Sequence, residues 1–266
     1  MIQKNIIAVV NQKGGVGKTT SVINLATAMV KKRKKVLVVD MDPQGNATTG
    51  SGLEKNSVTL SIYDGLINNS SCSKIIVPSN SCGFDIIPAN RNLSGAEIEL
   101  VEISKREYQL KKILESVANK YDVILIDCPP SLSLLTINAL VAAKFLLVPI
   151  QCEYYALEGL TDLLSTVKRI QESLNKDLEV LGLIRTMYDG RNNLANQVSE
   201  QLVKHFKDKL FNTYIPRNVR LAEAPSFGMS AVALDNTALG SKAYMDLTNE
   251  ILTRFDYLRN NLSWDD

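Results

Sequence analysis

Histidine is almost missing from this chain, which has only His205, and its four cysteines, Cys72, Cys82, Cys128 and Cys152, lie far apart. No C-x-x-C or Cys/His spacing exists, so the frame of a zinc site is absent. Scattered cysteines read as reduced thiols. Long apolar runs are lacking as well. The longest, such as residues 145–150, are strand-sized, well short of the roughly 18 residues a membrane-spanning helix requires. The opening Met1-Ile2-Gln3-Lys4-Asn5 has no apolar signal-peptide core and leads into a candidate strand, so the chain is expected to stay in the cytoplasm. Charge of one sign is not in excess: 30 Lys and Arg face 28 Asp and Glu, a net charge of +2. That balance excludes a strongly basic nucleic-acid coat and leaves room for a local basic face. Disorder is excluded as the main state by 45% hydrophobic and 22% charged residues. A length of 266 residues is near the upper limit for one core.

Apolar runs of four to seven residues alternate with helix-period segments. Residues 6–10, 36–39, 84–87, 123–126, 145–150 and 178–184 read as buried strands. Near-continuous Val/Ile/Leu runs are what a parallel sheet covered on both faces needs. In residues 158–174, Leu160, Leu163, Leu164, Val167, Ile170 and Leu174 follow helical spacing. In residues 194–206 the stripe is Leu194, Val198, Leu202 and Phe206. The alternation predicts a doubly wound α/β fold, a mostly parallel sheet with helices on both faces. The Asn/Ser-rich stretches 68–73 and 79–81 are expected as surface loop, and residues 1–266 as one domain.

The most informative segment is Asn11-Gln12-Lys13-Gly14-Gly15-Val16-Gly17-Lys18-Thr19-Thr20. It follows a strand and opens a helix, the context that gives a phosphate-binding loop its meaning. Gly14, Gly15 and Gly17 let backbone N–H groups crowd phosphate oxygens where a Cβ would collide. The helix from Thr19 aims its positive end at the same oxygens. Lys18 is expected at the β/γ-phosphates of a nucleotide, the Thr19 hydroxyl on Mg²⁺, and Thr20 at the α-phosphate. The standard pattern has glycine where this chain has Gln12, and Lys13 adds a second cation. Lys13 cannot easily share a γ-phosphate already served by Lys18. It is free to reach a phosphate held by a second subunit, which would make a homodimer depend on ATP.

Lys13-Gly14-Gly15-Val16-Gly17-Lys18-Thr19 resembles the deviant Walker A motif of the ParA/MinD ATPases, a branch of the P-loop NTPases. Val38-Val39-Asp40-Met41-Asp42-Pro43-Gln44-Gly45-Asn46-Ala47-Thr48 resembles the second motif of ParA/Soj partition proteins, and Asp127-Cys128-Pro129-Pro130-Ser131-Leu132 their Walker B segment. Glu153-Tyr154-Tyr155-Ala156-Leu157-Glu158-Gly159, Thr186-Met187-Tyr188-Asp189-Gly190-Arg191 and Ile215-Pro216-Arg217-Asn218-Val219-Arg220-Leu221-Ala222-Glu223-Ala224-Pro225-Ser226 are similar to the short Soj-type members. The first motif marks the superfamily, the last three the branch.

Asp127 ends an apolar strand, where ligands of open α/β sheets bind, and is expected to hold Mg²⁺ through a coordinated water. Alternation sends Asp40 and Asp42 toward one side of the chain. The resemblance implies that Asp42 orients the water attacking the γ-phosphate and that Asp40 supports the Mg²⁺ shell. The alternative for this Asp-x-Asp-Pro-x-Gly run is a plain turn. Residues 215–226 read as a strand end leading into a loop, and the resemblance implies that Pro216 and Asn218 meet the adenine. It further implies DNA contact without sequence reading through Arg191 and Arg220, with Arg217 a lesser candidate. It also implies a ParB-like partner that stimulates hydrolysis, and action on a chromosome or plasmid at the nucleoid. The charge run at residues 31–35 closes a helix, where cations complement the C-terminal end. A MinD-like membrane switch would need a basic amphipathic C-terminal helix. This chain ends acidic, after a stripe of Tyr244, Leu247, Ile251, Phe255 and Leu258 that reads as core packing. An iron–sulfur reductase would need paired cluster cysteines, for which these four offer no setting.

Overall fold

A computed structural model describes residues 5–262, with side chains as far as Leu258. Seven strands form one sheet: β1 Asn5–Val9, β2 Val36–Asp40, β3 Val77–Pro78, β4 Asp85–Ile87, β5 Val123–Asp127, β6 Phe145–Gln151 and β7 Glu179–Thr186. Their order is β3-β4-β2-β5-β1-β6-β7. Every pairing is parallel except that of β3 with β4. The expected doubly wound fold is therefore present. The six expected strands appear with ends shifted by a residue or two, and β3 is an addition. Two residues long and ending in proline, β3 carries too little pattern to be read from sequence.

Side-chain alternation along the strands feeds two cores, one on each face. Ile7 and Val9 of β1 join Val36, Val38, Val123 and Leu125 on one face. Ala8 and Val10 join Leu37, Val39, Ile124 and Ile126 on the other. The first face is covered by the helix Lys18–Lys31, through Val22, Leu25 and Met29, and by the last helix, Leu239–Leu262. In that last helix Tyr244, Leu247, Ile251 and Phe255 are buried and Leu258 packs against them, as the sequence stripe predicted. The acidic tail over residues 259–266 lies outside the described side chains. Helices Leu134–Ala142, Ala156–Ser173 and Asn193–Phe206 cover the second face. In Asn193–Phe206, Leu194 is exposed and Ala195 is buried in its stead. Asn192 caps this helix, its side chain accepting from the N–H groups of Leu194 and Ala195.

The Asn/Ser-rich stretches are not simple surface loop. Cys72 opens a short helix, Cys72–Ile75, and is buried. Ser79 is buried too, its hydroxyl donating to the Ser51 carbonyl at 2.7 Å. Small polar residues can turn inward wherever a backbone acceptor meets them. The run 31–35 does close its helix, with Arg33 in the left-handed region (φ 62°), and Lys31 Nζ donates to the Val232 carbonyl. All four cysteines are free and buried. No helix among the described residues is long and apolar enough to cross a membrane.

Candidate active site

The parallel register brings the C-terminal ends of β1, β2 and β5 level: Val9 and Asp40 both align with Asp127. Above these ends opens a cleft of about 490 Å³, within the usual size of small-molecule sites. Gly14, Gly15, Gly17, Lys18, Thr19 and Thr20 form its floor, Asp42 and Asn46 one side, and Met187, Ile215, Pro216 and Asn218 another. Gly15 and Gly17 have φ of 73° and 86°, conformations that L side chains rarely adopt. Gly17 leads into the helix at Lys18, so the first-turn N–H groups, unpaired within any helix, face the cleft. Val16 serves differently: its side chain is buried, and its carbonyl accepts from the Thr186 hydroxyl at 2.8 Å.

The charges are concentrated. Lys18 is 7% exposed. Burial lowers its pKa, while Asp127, Cys128 and Asp42 pull it back up. Its ammonium donates to the Lys13 carbonyl at 3.1 Å. Asp127 is fully buried, and its Oδ2 accepts from the Thr19 hydroxyl at 2.7 Å. Its Oδ1 has no hydrogen-bond partner. Burial, then the neighbouring Asp40 and Asp42, push the Asp127 pKa well above the usual carboxylate range, against the pull of Thr19 and Lys18. Asp42 accepts from the Gln44 N–H at 2.9 Å through Oδ1. Its Oδ2 takes no hydrogen bond among the described residues.

Asp40 differs from its expected orientation. β2 ends at Asp40, so strand alternation does not continue to Asp42. Asp42 lines the cleft; the Asp40 carboxylate is fully buried and accepts from the N–H groups of Asp42 and Thr48 and from the Thr48 hydroxyl. Burial raises its pKa to about 6, opposed by the Thr48 and Asp42 bonds.

Residues 215–226 fold into the helix Val219–Glu223 and a 3₁₀ turn, Ala224–Phe227, in place of the expected loop. Asn218 is the cap, its side-chain oxygen accepting from the Arg220 N–H at 3.1 Å. The signal was in the sequence: an Asn followed at once by helix formers. Pro216, Asn218 and Arg217 all line the cleft. Two contributors escaped sequence reading. Thr186 braces the phosphate loop, and the Tyr244 hydroxyl, at the cleft's base, lies 2.9 Å from Ser21 Oγ. Met187, with φ 49°, turns the chain from β7 into the cleft wall.

The remaining sequence candidates lie on the surface. Lys13 is half-exposed, outside the cleft, and ion-paired with Glu153. Arg191 is 91% exposed and forks onto Asp189 at 2.9 and 2.7 Å. That fork holds the Asp189 carboxyl down at about 2. Arg220 pairs with Glu223 and with Asp235. Arg217 forms no ion pair among the described residues, though its charge also favours ionised Asp189.

A glycine loop between a central strand and a helix, carrying a buried lysine and facing a strand-end aspartate, defines a P-loop nucleotide-binding protein. The family model described as AAA domain matches residues 4–180. The sporulation initiation inhibitor protein Soj of Bacillus subtilis is 52% identical, over 92% of this chain and 97% of that protein. The chromosome partitioning protein ParA of Caulobacter vibrioides is 47% identical, over 94% of each. Among solved structures, cobyrinic acid a,c-diamide synthase from Mycobacterium smegmatis, with bound ADP and magnesium, superposes with a TM-score of 0.84, at 33% identity over 96% of each chain. The chain belongs to the ParA/Soj family of partitioning ATPases.

Proposed function

We propose that this chain is an ATP-driven DNA-partitioning switch, working as one domain. It binds ATP and Mg²⁺ in the cleft, pairs with a second copy across the phosphate-loop face, holds double-stranded DNA without reading its sequence, and releases it on hydrolysis. A ParB-like DNA-bound protein stimulates that hydrolysis, and the work is segregation of a chromosome or plasmid at the nucleoid. The observation that carries the reading is that Lys18, Thr19 and Asp42 line one cleft, with the Asp127 carboxylate buried behind Thr19 and bonded to it.

The donor set fits a Mg²⁺–nucleotide. Among the described residues no group of three or more His, Cys, Asp or Glu side chains is arranged to hold a metal by itself. Mg²⁺ in phosphate sites rarely needs one, because waters and substrate oxygens complete its octahedron. Thr19 would supply a hydroxyl and Asp127 a water-mediated carboxylate, and the unpartnered buried Oδ1 of Asp127 is the group that calls for such a donor. When bound, Mg²⁺ offsets charge on the β- and γ-phosphates. Lys18 supplies the fixed cation at those phosphates. The unbonded Oδ2 of Asp42 accepts a hydrogen from the attacking water and so aligns it. Pro216 and Asn218 take the base. With its oxygen engaged in the cap, Asn218 has its NH₂ to donate.

Lys13, outside its own cleft, reaches the phosphates of a second copy once it leaves Glu153. A Cβ built on Gly14 meets nothing within 4 Å, so that surface is open to a closely apposed partner. Arg191, Arg217 and Arg220 supply the DNA contacts, doubled in the dimer. Asp42→Ala tests the cycle: it should bind ATP, accumulate as an ATP-dependent dimer on sizing columns, and hydrolyse at least about a hundredfold more slowly. Hydrolysis at the wild-type rate would reduce Asp42 to a turn residue and end this mechanism.

A further inference from the structure

The turn that carries Asp42 is pinned at both ends by one carboxylate. Asp40 Oδ1 accepts from the Asp42 N–H at 3.1 Å. Asp40 Oδ2 accepts from the Thr48 N–H at 2.8 Å and from the Thr48 hydroxyl at 2.7 Å. The same hydroxyl oxygen accepts from the Ala89 N–H at 2.9 Å. Asp40 and Thr48 are both fully buried, so water does not compete for these bonds. Between the two anchors the chain makes a tight reversal at Gly45 (φ 64°), where a Cβ would sit 3.1 Å from the Ala89 carbonyl oxygen. Thr48 thereby ties three pieces together: the end of β2, the helix Asn46–Gly50 that it belongs to, and the segment after β4.

We infer that Thr48 is a positioning residue for hydrolysis, acting through Asp40 to fix the Asp42 turn against the nucleotide cleft. The inference rests on the ATPase reading above and extends it to a residue outside the cleft. The hydroxyl is needed for both of its roles at once, donor to Asp40 and acceptor from Ala89. Valine fills the same space but loses both bonds; serine keeps both and loses only a methyl. Asp42 and Asn46 line the cleft between the anchors, so slack at Thr48 becomes misalignment of the Asp42 carboxylate. An ångström of misplacement in an aligned reacting group costs up to about a hundredfold in rate. Lys18 and the glycine loop lie on a different strand–helix connection and stay in place, so nucleotide affinity should survive. The role gives Asp40 a structural task of its own, with three donors from its own chain on its two oxygens.

The test uses the full-length protein with Thr48→Val, Thr48→Ala and Thr48→Ser. Steady-state hydrolysis is measured beside equilibrium binding of a fluorescent ATP analogue. Thr48→Val and Thr48→Ala should lower kcat at least about tenfold with the dissociation constant within about threefold of wild type, and Thr48→Ser should recover most of the rate. If valine prevents folding, the alanine variant decides alone. An unchanged kcat in the variant lacking the hydroxyl overturns the inference. So does a serine variant as slow as alanine, or a loss of affinity that matches the loss of rate. Wild-type protein that fails to hydrolyse ATP would sink the ATPase reading together with this one; a fast Thr48→Ala beside a fast wild type sinks this one alone.

Discussion

Two charged regions of the molecule are built on opposite plans. At the cleft, where Lys18 and Asp42 line the wall and Asp40 and Asp127 are buried behind it, all four are at most 8% exposed. Three carboxylates share that space with one ammonium, and fixed donors hold Asp40, Asp42 and Asp127 in place. On the surface, Arg191 and Arg220 stand in solvent, neutralised by Asp189, Glu223 and Asp235, while Arg217 forms no ion pair among the described residues. The buried region holds repulsion among its carboxylates, which a cationic ligand relieves. The surface region keeps its cations masked by exposed ion pairs, which water and salt screen. One is pre-shaped for a particular ligand; the other adapts to any run of phosphates.

Removing the cleft's cation should show the largest effect. Lys18→Ala leaves buried carboxylates unopposed and should weaken ATP binding by at least about a hundredfold, on the order of 3 kcal/mol, in a fluorescent-nucleotide titration. Near-normal affinity would erase the difference between the regions. Relieving the repulsion comes next. Asp127→Asn should raise the melting temperature of the ligand-free protein near pH 7 by a few degrees, about 2–4 °C for each kcal/mol gained, while removing its response to Mg²⁺–ATP. The sign follows from the raised pKa values. Such a carboxyl favours the fold fully below its ordinary value and loses that contribution as pH rises through its folded one. For Asp40 the window runs from 3.8 to about 6. Wild-type ligand-free protein should therefore lose stability across it in thermal scans, and Asp127→Asn should lose less. The surface should respond most weakly. With the dimer held by Asp42→Ala, Arg217→Glu should reduce DNA affinity and flatten its salt dependence more than Arg191→Glu or Arg220→Glu, since its charge is not already spent on a neighbour. Asp189→Asn should raise affinity about two- to fivefold at low salt by unmasking Arg191. Equal effects from all three arginines would mean that the ion pairs open freely.

Legibility in the sequence followed the same division. The strand–loop–helix frame around Lys18 and Asp127 is local, and a few residue types at fixed spacing carry it. Short, near-continuous apolar runs mark the strands because both faces of the sheet are covered. What could not be read depends on distant partners. Lys13 and Glu153 are 140 positions apart, and nothing local in either announces the pair. Nothing local marks Thr48 as the residue that joins Asp40 to the Ala89 N–H, 41 positions further on. The helix Val219–Glu223 is hard to see in the sequence because two prolines flank it at 216 and 225, masking the Asn218 cap. Cys72 and Ser79 lie in segments whose composition suggests solvent, yet their packing turns them inward.

The order of strands in space has a consequence for biosynthesis. β1 is made well before either of its neighbours, β5 and β6, which begin at positions 123 and 145. The brace from Thr186 to the Val16 carbonyl spans 170 positions, and the Tyr244–Ser21 contact spans 223. The phosphate loop is thus made long before the residues that complete it. A nascent chain must keep this apolar strand waiting while more than a hundred residues follow, the interval in which exposed strands meet chaperones or one another. Nucleotide cannot shorten that wait, because the cleft it would stabilise is incomplete until residues 215–221 and Tyr244 arrive.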